Sequence, residues 1–216
     1  MEREVDIELI SDGKRYLSND LVKLECEECK GCSDCCKDMG DSILLDPYDV
    51  FMLTVHLKRT FESFLDQEIS LGVIHQVILP HLKMCQEQLN RSFLSEDGRC
   101  KIHSIRPGFC RLFPLGRIYE NNQFSYFLQK NECQKGGRTK LKIRKWIGIE
   151  PIVPYEKFVT RWHYLMKDIC ERSSSYDEEW LKQKNMRLLK VFFEQPYLET
   201  QDFYIQFEQR VEEYCK

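Results

Sequence analysis

The pattern of apolar and polar positions predicts a chain that is mainly helical. Asp46 suits a helix N-cap and Pro47 suits the first helical position, because an N-cap side chain accepts a backbone N–H bond and proline has no N–H. The residues that follow recur at the three- and four-residue spacing of one helix face: Val50, Leu53, Leu57, Phe61, Phe64 and Leu65. These signals predict a helix over Pro47–Ile69. A shorter helix is predicted over Ile74–Leu89, where Pro80 would cause a kink or start a new turn.

Two small antiparallel hairpins are predicted in the middle of the chain. Ser95–Gly98 is a turn between short apolar runs, and Asn121-Asn122 separates Leu115–Glu120 from Gln123–Gln129. Asparagine and glycine tolerate the left-handed backbone of tight turns. The aromatic and branched residues on both sides of the asparagines suit strands.

From Tyr155 onward the apolar positions return to helical spacing. Ser173–Ser175 and Gln195-Pro196 interrupt the pattern and leave three apolar stripes: Phe158, Trp162, Leu165, Met166 and Ile169, then Trp180, Leu181, Leu188, Val191 and Phe192, then Phe203, Phe207, Val211 and Tyr214. The predicted fold class is therefore α+β and mainly helical, with an irregular cysteine-rich core, small antiparallel hairpins and a helical C-terminal extension. The predicted domains are residues 1–148, a cysteine cluster domain, and residues 149–216, a helical extension packed on it.

The composition is that of a soluble globular protein. Of the 216 residues, 42% are hydrophobic and 31% are charged, and the net charge is −3, which disfavours nucleic acid and anionic lipid as default partners. The first twenty residues hold no apolar stretch of signal-peptide length, and no run approaches the roughly 18 residues that span a bilayer. We therefore expect a cytoplasmic protein with no membrane segment. In a reducing compartment, eleven cysteines point to metal binding or redox chemistry rather than to disulfides.

Five cysteines lie within eleven residues near the N-terminus: Cys26, Cys29, Cys32, Cys35 and Cys36. Two-residue gaps let successive sulfurs surround one ion while backbone N–H groups of the turn point at the thiolates, as in zinc and iron–sulfur sites. Neighbours such as Cys35 and Cys36 are poor disulfide partners, since a disulfide needs Cα atoms about 4.4–6.8 Å apart with suitable side-chain directions. The cluster therefore predicts a metal site.

Three more candidate cysteines follow later in the chain, Cys100, Cys110 and Cys133, and His103 is a candidate nitrogen ligand. One tetrahedral ion needs only four ligands, and adjacent side chains diverge, so Cys35 and Cys36 serve two ions or two edges of a cluster most naturally. We therefore expect more than one metal atom.

The spacing leaves zinc and iron–sulfur chemistry both open. The series Cys26, Cys29, Cys32 and Cys36 has the spacing of bacterial ferredoxins, although Lys37 replaces the proline of that pattern. Zinc would instead take a closed, structural set such as Cys29, Cys32, Cys100 and Cys110. Either solution leaves negative charge on the thiolates, and we expect Arg106 and Arg111 to donate hydrogen bonds to sulfur or backbone around the site.

The cysteine motifs resemble those of the YkgJ-type cysteine cluster family. The resemblance rests on Cys29-x-x-Cys32-x-x-Cys35-Cys36, on Cys100, on Arg106-Pro107-x-x-Cys110-Arg111-x-Phe113-Pro114 and on Cys133-x-x-Gly136. It implies chelation of zinc or iron by Cys29, Cys32, Cys35, Cys36, Cys100, Cys110 and Cys133, with Cys26 as an additional thiol. The motifs are also similar to those of flagellin lysine-N-methylases, which are longer chains linked to iron–sulfur chemistry and S-adenosylmethionine.

Three classes of function follow. The first is a non-enzymatic metal-binding protein, and the second is an iron–sulfur methyltransferase acting on protein lysine, for which the chain shows neither a glycine-rich nucleotide fingerprint nor the Cys-x3-Cys-x2-Cys spacing of radical enzymes. The third is recognition of nucleic acid or protein through the basic run 135–146, which as a charged run is more often a solvated face. The first class agrees best with the number of thiols.

Overall fold

The computed structural model describes residues 7–25, 42–65, 67–85, 90–91, 93–95, 97–130, 132–133, 139–173 and 177–216. The described helices are α1 Ile7–Ile10, α2 Pro47–Leu57, α3 Gly108–Leu112, α4 Ile143–Ile147, α5 Ile152–Ser173, α6 Glu178–Leu189 and α7 Phe203–Cys215. The described strands are β1 Leu21–Glu25, β2 Ile69–Ile74, β3 Val77–Leu82, β4 Met84–Cys85, β5 Asn90–Arg91, β6 Leu115–Glu120, β7 Gln123–Leu128 and β8 Thr139–Lys142. They pair antiparallel as β1–β8, β2–β3, β4–β5 and β6–β7. The predicted α+β class with small antiparallel hairpins is confirmed.

Helix α2 begins where the sequence predicts and ends earlier. The Asp46 side chain caps it by accepting from the Asp49 N–H, and Pro47 is its first residue. Lys58 then takes a left-handed conformation, with φ of 54°, so the predicted extension to Ile69 is wrong. Phe61 and Phe64 are buried, at 3% and 0% exposure, but they lie at the two ends of a 3-10 turn. A 3-10 turn also places residues three positions apart on one side, so the spacing resembles that of a continued α-helix.

The helix predicted over Ile74–Leu89 is wrong, because most of this stretch is a hairpin of β2 and β3. His75 and Gln76 form its turn with φ of 47° and 67°, the left-handed values of a tight hairpin turn. Neither residue is glycine or asparagine, so the sequence carries no local turn signal. Asn185 of α6 holds the turn by accepting from the Ile78 N–H at 2.8 Å and donating to the Gln76 carbonyl at 2.9 Å.

The two predicted hairpin turns are confirmed. Asn121 and Asn122 have φ of 51° and 58° and join β6 to β7, which pair from Leu115 with Leu128 to Glu120 with Gln123. Gly98 donates to the Ser95 carbonyl at 2.9 Å. An antiparallel bridge between Leu94 and Cys100 closes this second, shorter hairpin.

Strands β1 and β8 join two distant parts of the chain. Their register pairs Leu21 with Lys142, Lys23 with Lys140 and Glu25 with Thr139. Val22 and Leu24 point inward, at 4% and 1% exposure. Helix α4 follows β8 directly, and its first residues bond to the turn before β1.

The C-terminal stretch forms the predicted helices α5, α6 and α7. Most of the predicted apolar positions enter the same hydrophobic core as α2 and the hairpins, and Val191 and Phe192 do so from a π-helix over Lys190–Glu194 that continues α6. Aromatic rings contribute many of the contacts between α2 and α7. The ring centroid of Phe203 lies 5.1 Å from that of Tyr48 and 5.2 Å from that of Phe51. The division into residues 1–148 and 149–216 stays a prediction.

No described helix combines the length and the apolar character that crossing a bilayer would need.

Candidate metal centre

Three of the predicted ligands, Cys100, Cys110 and Cys133, lie on described backbone and are partly buried. Cys100 lies in the bridge with Leu94, Cys110 lies within α3, and Cys133 lies between β7 and β8. The other predicted ligands lie outside the described residues: Cys26, Cys29, Cys32, Cys35 and Cys36. The structure therefore shows the later part of the proposed thiol set.

The backbone from Cys100 to Arg106 forms a compact turn that packs on the core. Cys100 accepts at its carbonyl from the His103 N–H at 3.2 Å, at the start of a 3-10 helix over His103–Ile105. Ile102 and Ile105 are buried, at 3% and 7% exposure, whereas the His103 side chain is exposed. The turn therefore fixes the backbone of Cys100 through its apolar neighbours.

The side chain of Arg111 connects several parts of the segment around Cys110 through hydrogen bonds. Its side chain is only 5% exposed. It donates to the backbone carbonyls of Arg106 at 2.8 Å, Ser104 at 2.6 Å and Ile147 at 3.1 Å. These bonds fix the residue that follows Cys110 in the chain and connect the turn to the end of α4.

Arg106 and Arg111 both donate to backbone carbonyls, whereas their predicted place around a metal site stays a prediction. Arg106 donates to the His103 carbonyl at 2.9 Å. Trp146 of α4 adds a bond across the same junction by donating from Nε1 to the Phe113 carbonyl at 3.0 Å. Helices α3 and α4 are thus held together by side-chain bonds to backbone oxygen.

Two carboxylates at the start of α2 face the Cys110 segment. Asp46 and Asp49 form a reciprocal capping box, in which each side chain accepts from the backbone N–H of the other, at 2.9 and 3.1 Å. Asp49 also accepts from the Gly108 N–H at 2.7 Å, over a separation of 59 residues. This contact ties the start of α2 to the first residue of α3.

The surroundings of these carboxylates are unusual for acidic groups. Asp49 is 3% exposed, and burial raises its pKa to about 6, although the N–H donors and the charges of Arg111 and Arg117 act in the opposite direction. Burial, together with the charge of Asp49, also raises the pKa of Asp46. Because the oxygens of Asp49 already accept backbone N–H bonds, they are structural acceptors here.

The described residues that flank 26–41 lead toward the later cysteines. Glu25, directly before Cys26, is paired with Thr139, which follows Cys133 by six positions. On the other side of the segment, Asp46 and Asp49 lie against Gly108, two positions before Cys110. The chain thus enters and leaves the early cysteine segment beside elements that adjoin the later thiols.

Within the described part of the chain, no three His, Cys, Asp or Glu side chains form a group that could hold a metal ion. The three later thiols therefore do not complete a site with one another or with His103. A four-ligand centre on them would need ligands from outside the described residues, where the early cysteines lie. Convergence of the two sets stays a prediction.

Residues 28–134 match the model of the family CxxCxxCC, described as "Putative zinc- or iron-chelating domain". The chain carries a CxxCxxCC domain. The match includes the predicted ligands apart from Cys26, which precedes it by two positions. The CxxCxxCC domain also includes Asp46, Asp49, Gly108 and Arg111, whereas α5, α6 and α7 lie beyond it. Nothing among the curated proteins or the solved structures matches the chain.

The contact between Asp49 and Gly108 was not predicted from the sequence. An aspartate at the third position of a helix is ordinarily explained by its own cap. The available signals were the acid at both cap positions and the glycine after Arg106-Pro107. Neither signal identifies a partner 59 residues away.

Proposed function

We propose that the CxxCxxCC domain of this protein binds zinc or iron through thiolates from three chain segments. The segments carry Cys29, Cys32, Cys35 and Cys36, then Cys100 and Cys110, then Cys133, with Cys26 as an additional donor. The observation that carries the proposal is the family match over residues 28–134. Support comes from the partial burial of the three described thiols and from the anchored backbone around Cys100 and Cys110.

The donor set suits zinc or iron rather than a hard cation. Thiolate sulfur favours zinc and iron–sulfur centres, whereas calcium and magnesium take oxygen. The nearby carboxylate Asp49 uses its oxygens on backbone N–H groups, so we do not assign it as a ligand. Seven or eight thiols exceed the four that one tetrahedral ion takes, so we expect about two metal atoms.

The local charges favour a thiolate-rich centre. Four thiolates around one divalent ion leave a charge of about −2 that neighbouring groups must offset. Arg111 supplies a buried guanidinium one position after Cys110 in the chain, held by four backbone carbonyls. Its place does not depend on bound metal, because its hydrogen bonds are all to protein oxygen.

Iron–sulfur chemistry and methyl transfer to protein lysine remain the alternative hypothesis. Its basis is the ferredoxin-like spacing of Cys26, Cys29, Cys32 and Cys36 and the resemblance to flagellin lysine-N-methylases. No described contact favours a site for S-adenosylmethionine. Metal binding is therefore the function that the described residues support better.

The direct test is metal analysis of protein purified without oxygen. We expect about two equivalents of zinc or iron in the wild type, and a clear loss in Cys110→Ser because a hydroxyl is a much weaker ligand for these metals. Cys215→Ser is the matched control, since Cys215 is exposed and lies outside the family match. An ultraviolet–visible spectrum then separates colourless zinc from coloured iron–sulfur centres.

Two results would overturn the proposal. One is wild-type protein without bound metal that also takes up neither zinc nor iron after reduction. The other is equal metal content in Cys110→Ser and in the wild type. Activity with S-adenosylmethionine on a lysine peptide would instead support the alternative hypothesis.

A further inference from the structure

A single buried carboxylate links the Cys110 segment to α2. Asp49 lies in the first turn of α2 and accepts through Oδ1 from the Gly108 N–H at 2.7 Å. Its other oxygen, Oδ2, accepts from the Asp46 N–H at 3.1 Å. One side chain therefore joins the starts of α2 and α3.

Helix α3 needs this outside acceptor. The N–H groups at the start of a helix have no partner within the helix, and Pro107, at the N-cap of α3, has no polar side chain with which to cap them. Because Gly108 is buried, water cannot readily replace the carboxylate. Asp49 thus supplies to α3 the acceptor that its own N-cap residue lacks.

Tyr155 of α5 holds the same residue from another direction. A Cβ atom added at Gly108 would lie 2.5 Å from the Tyr155 hydroxyl and 3.7 Å from Asp49 Oδ1. The tyrosine is 0% exposed, so it has little room to move away. The backbone at Gly108 is therefore enclosed by two buried polar side chains.

Arg111 completes the enclosure of α3, with its bonds to the carbonyls of Ser104, Arg106 and Ile147. Cys110 lies between the residue held by Asp49 and the residue that makes these bonds. Its backbone is consequently fixed on both sides by contacts that involve no metal.

We propose that Asp49 is a positioning residue of the metal centre, which holds the Cys110 thiol in place before metal binds. The proposal rests on the proposed function, because it assigns a role toward a centre that includes Cys110. Asp49 acts through the backbone of α3 rather than as a ligand. Such positioning lowers the entropy cost of metal binding, because the thiol is already ordered before the metal binds.

The test is Asp49→Asn, which keeps the size of the side chain but leaves one acceptor oxygen for two backbone N–H groups. Asp177→Asn is the matched control, because Asp177 caps α6 by accepting from the Trp180 N–H at 2.8 Å and lies outside the CxxCxxCC domain. Both variants lose one negative charge and one capping carboxylate. Only the first of them changes the support of α3.

The first measurement uses reduced, metal-free protein and does not depend on metal binding. Alkylation of Cys110 by iodoacetamide, followed by mass spectrometry relative to the exposed Cys215, reports how often the segment opens. We expect the rate at Cys110 to rise several-fold in Asp49→Asn and to stay at the wild-type value in Asp177→Asn. Equal rates in all three proteins would overturn the proposal.

The second measurement titrates the same proteins with cobalt, whose thiolate charge-transfer bands report sulfur ligation. Loss of a residue that supports a ligand typically costs 10- to 100-fold in metal affinity. We therefore expect about tenfold weaker binding and a weaker band per cobalt in Asp49→Asn alone. If the wild type binds no metal at all, the proposed function fails, while the alkylation rates still decide whether Asp49 positions Cys110.

A second pair of variants covers the case in which Asp49→Asn fails to fold. Gly108→Ala adds a methyl group against the Tyr155 hydroxyl and should raise the alkylation of Cys110. Combining it with Tyr155→Phe removes that hydroxyl and should restore much of the protection. Wild-type alkylation in Gly108→Ala would contradict the enclosure of α3.

Discussion

At the scale of single residues, several ionisable groups share the interior between α2, β6 and α5. Arg117 of β6 donates to the Tyr155 hydroxyl at 3.4 Å and lies over the rings of Phe124 and Tyr126, at 5.2 and 5.9 Å from their centroids. Its charge acts on the buried carboxylates at the start of α2 and opposes the rise in their pKa values. This interior therefore holds buried groups of opposite charge that act on one another.

His163 provides a test of this interior through pH. Its ring stacks on Tyr119 with the two centroids 3.5 Å apart, and burial lowers its pKa to about 4 from an ordinary 6.5, with the charges of Lys167 and Arg117 acting in the same direction. Between those two pH values the unfolded chain binds a proton that the folded protein does not bind. The free energy of unfolding should therefore fall as the pH falls from 6.5 toward 4.

His163→Phe should remove this acid sensitivity while keeping an aromatic ring against Tyr119. We expect the difference in unfolding free energy between the variant and the wild type to shift in favour of the variant by on the order of 2 kcal/mol between pH 7 and pH 4.5. Urea titrations at both pH values measure it. A difference that does not change with pH would show that His163 is protonated equally in both states.

At the scale of elements, the β1–β8 pair carries an unfavourable contact. Lys23 and Lys140 lie directly opposite one another in the register, and both side chains are exposed. Like charges at such positions destabilise a strand pair. The β1–β8 pair nevertheless fixes the backbone directly before the early cysteine segment, because Glu25 is paired with Thr139. Its stability therefore affects how well the start of that segment is anchored.

Lys140→Glu should stabilise the protein by about 0.5 kcal/mol at low ionic strength, because it replaces repulsion across the strands by attraction. Lys140→Glu combined with Lys23→Glu is the control, since it restores like charges at the same pair of positions. Urea unfolding in low and high salt measures the effect. The gain should shrink in high salt, and an equal gain in both variants would show that net charge, rather than the pair, is responsible.

At the scale of the whole molecule, the core extends across the chain from Val22 to Tyr214. Phe158 of α5 contributes to it, with its ring 5.2 Å from that of Phe203 and 4.7 Å from that of Phe207. These contacts involve no cysteine. A chain of this size can bury enough apolar surface to fold without a metal.

Removal of metal is therefore expected to lower the unfolding midpoint without abolishing cooperative unfolding. Bound metal stabilises the folded state only by its binding free energy, whereas the helices from α5 to α7 pack through the aromatic core. Circular dichroism during heating, with and without chelator under reducing conditions, measures this. Loss of the helical signal at room temperature on chelation would instead show that the metal is required for folding, as in zinc fingers.

Local signals predicted some elements because those elements depend on neighbouring residues. Asp46 and Pro47 marked the start of α2, and Asn121-Asn122 marked the turn between β6 and β7. The β2–β3 hairpin was not predicted, because His75 and Gln76 are residue types with little preference for turns. Asn185 of α6 holds that turn from 109 residues away, so its cause is tertiary.

The sequence alone determined which atoms are available for metal, because the number, type and spacing of thiols are covalent properties of the chain. It also determined the helical C-terminal stretch, since apolar periodicity follows from the backbone repeat. Only the tertiary structure decided how Cys110 is held. Asp49, Gly108 and Tyr155 meet across α2, α3 and α5, and a contact of that kind depends on how whole elements pack rather than on any local pattern.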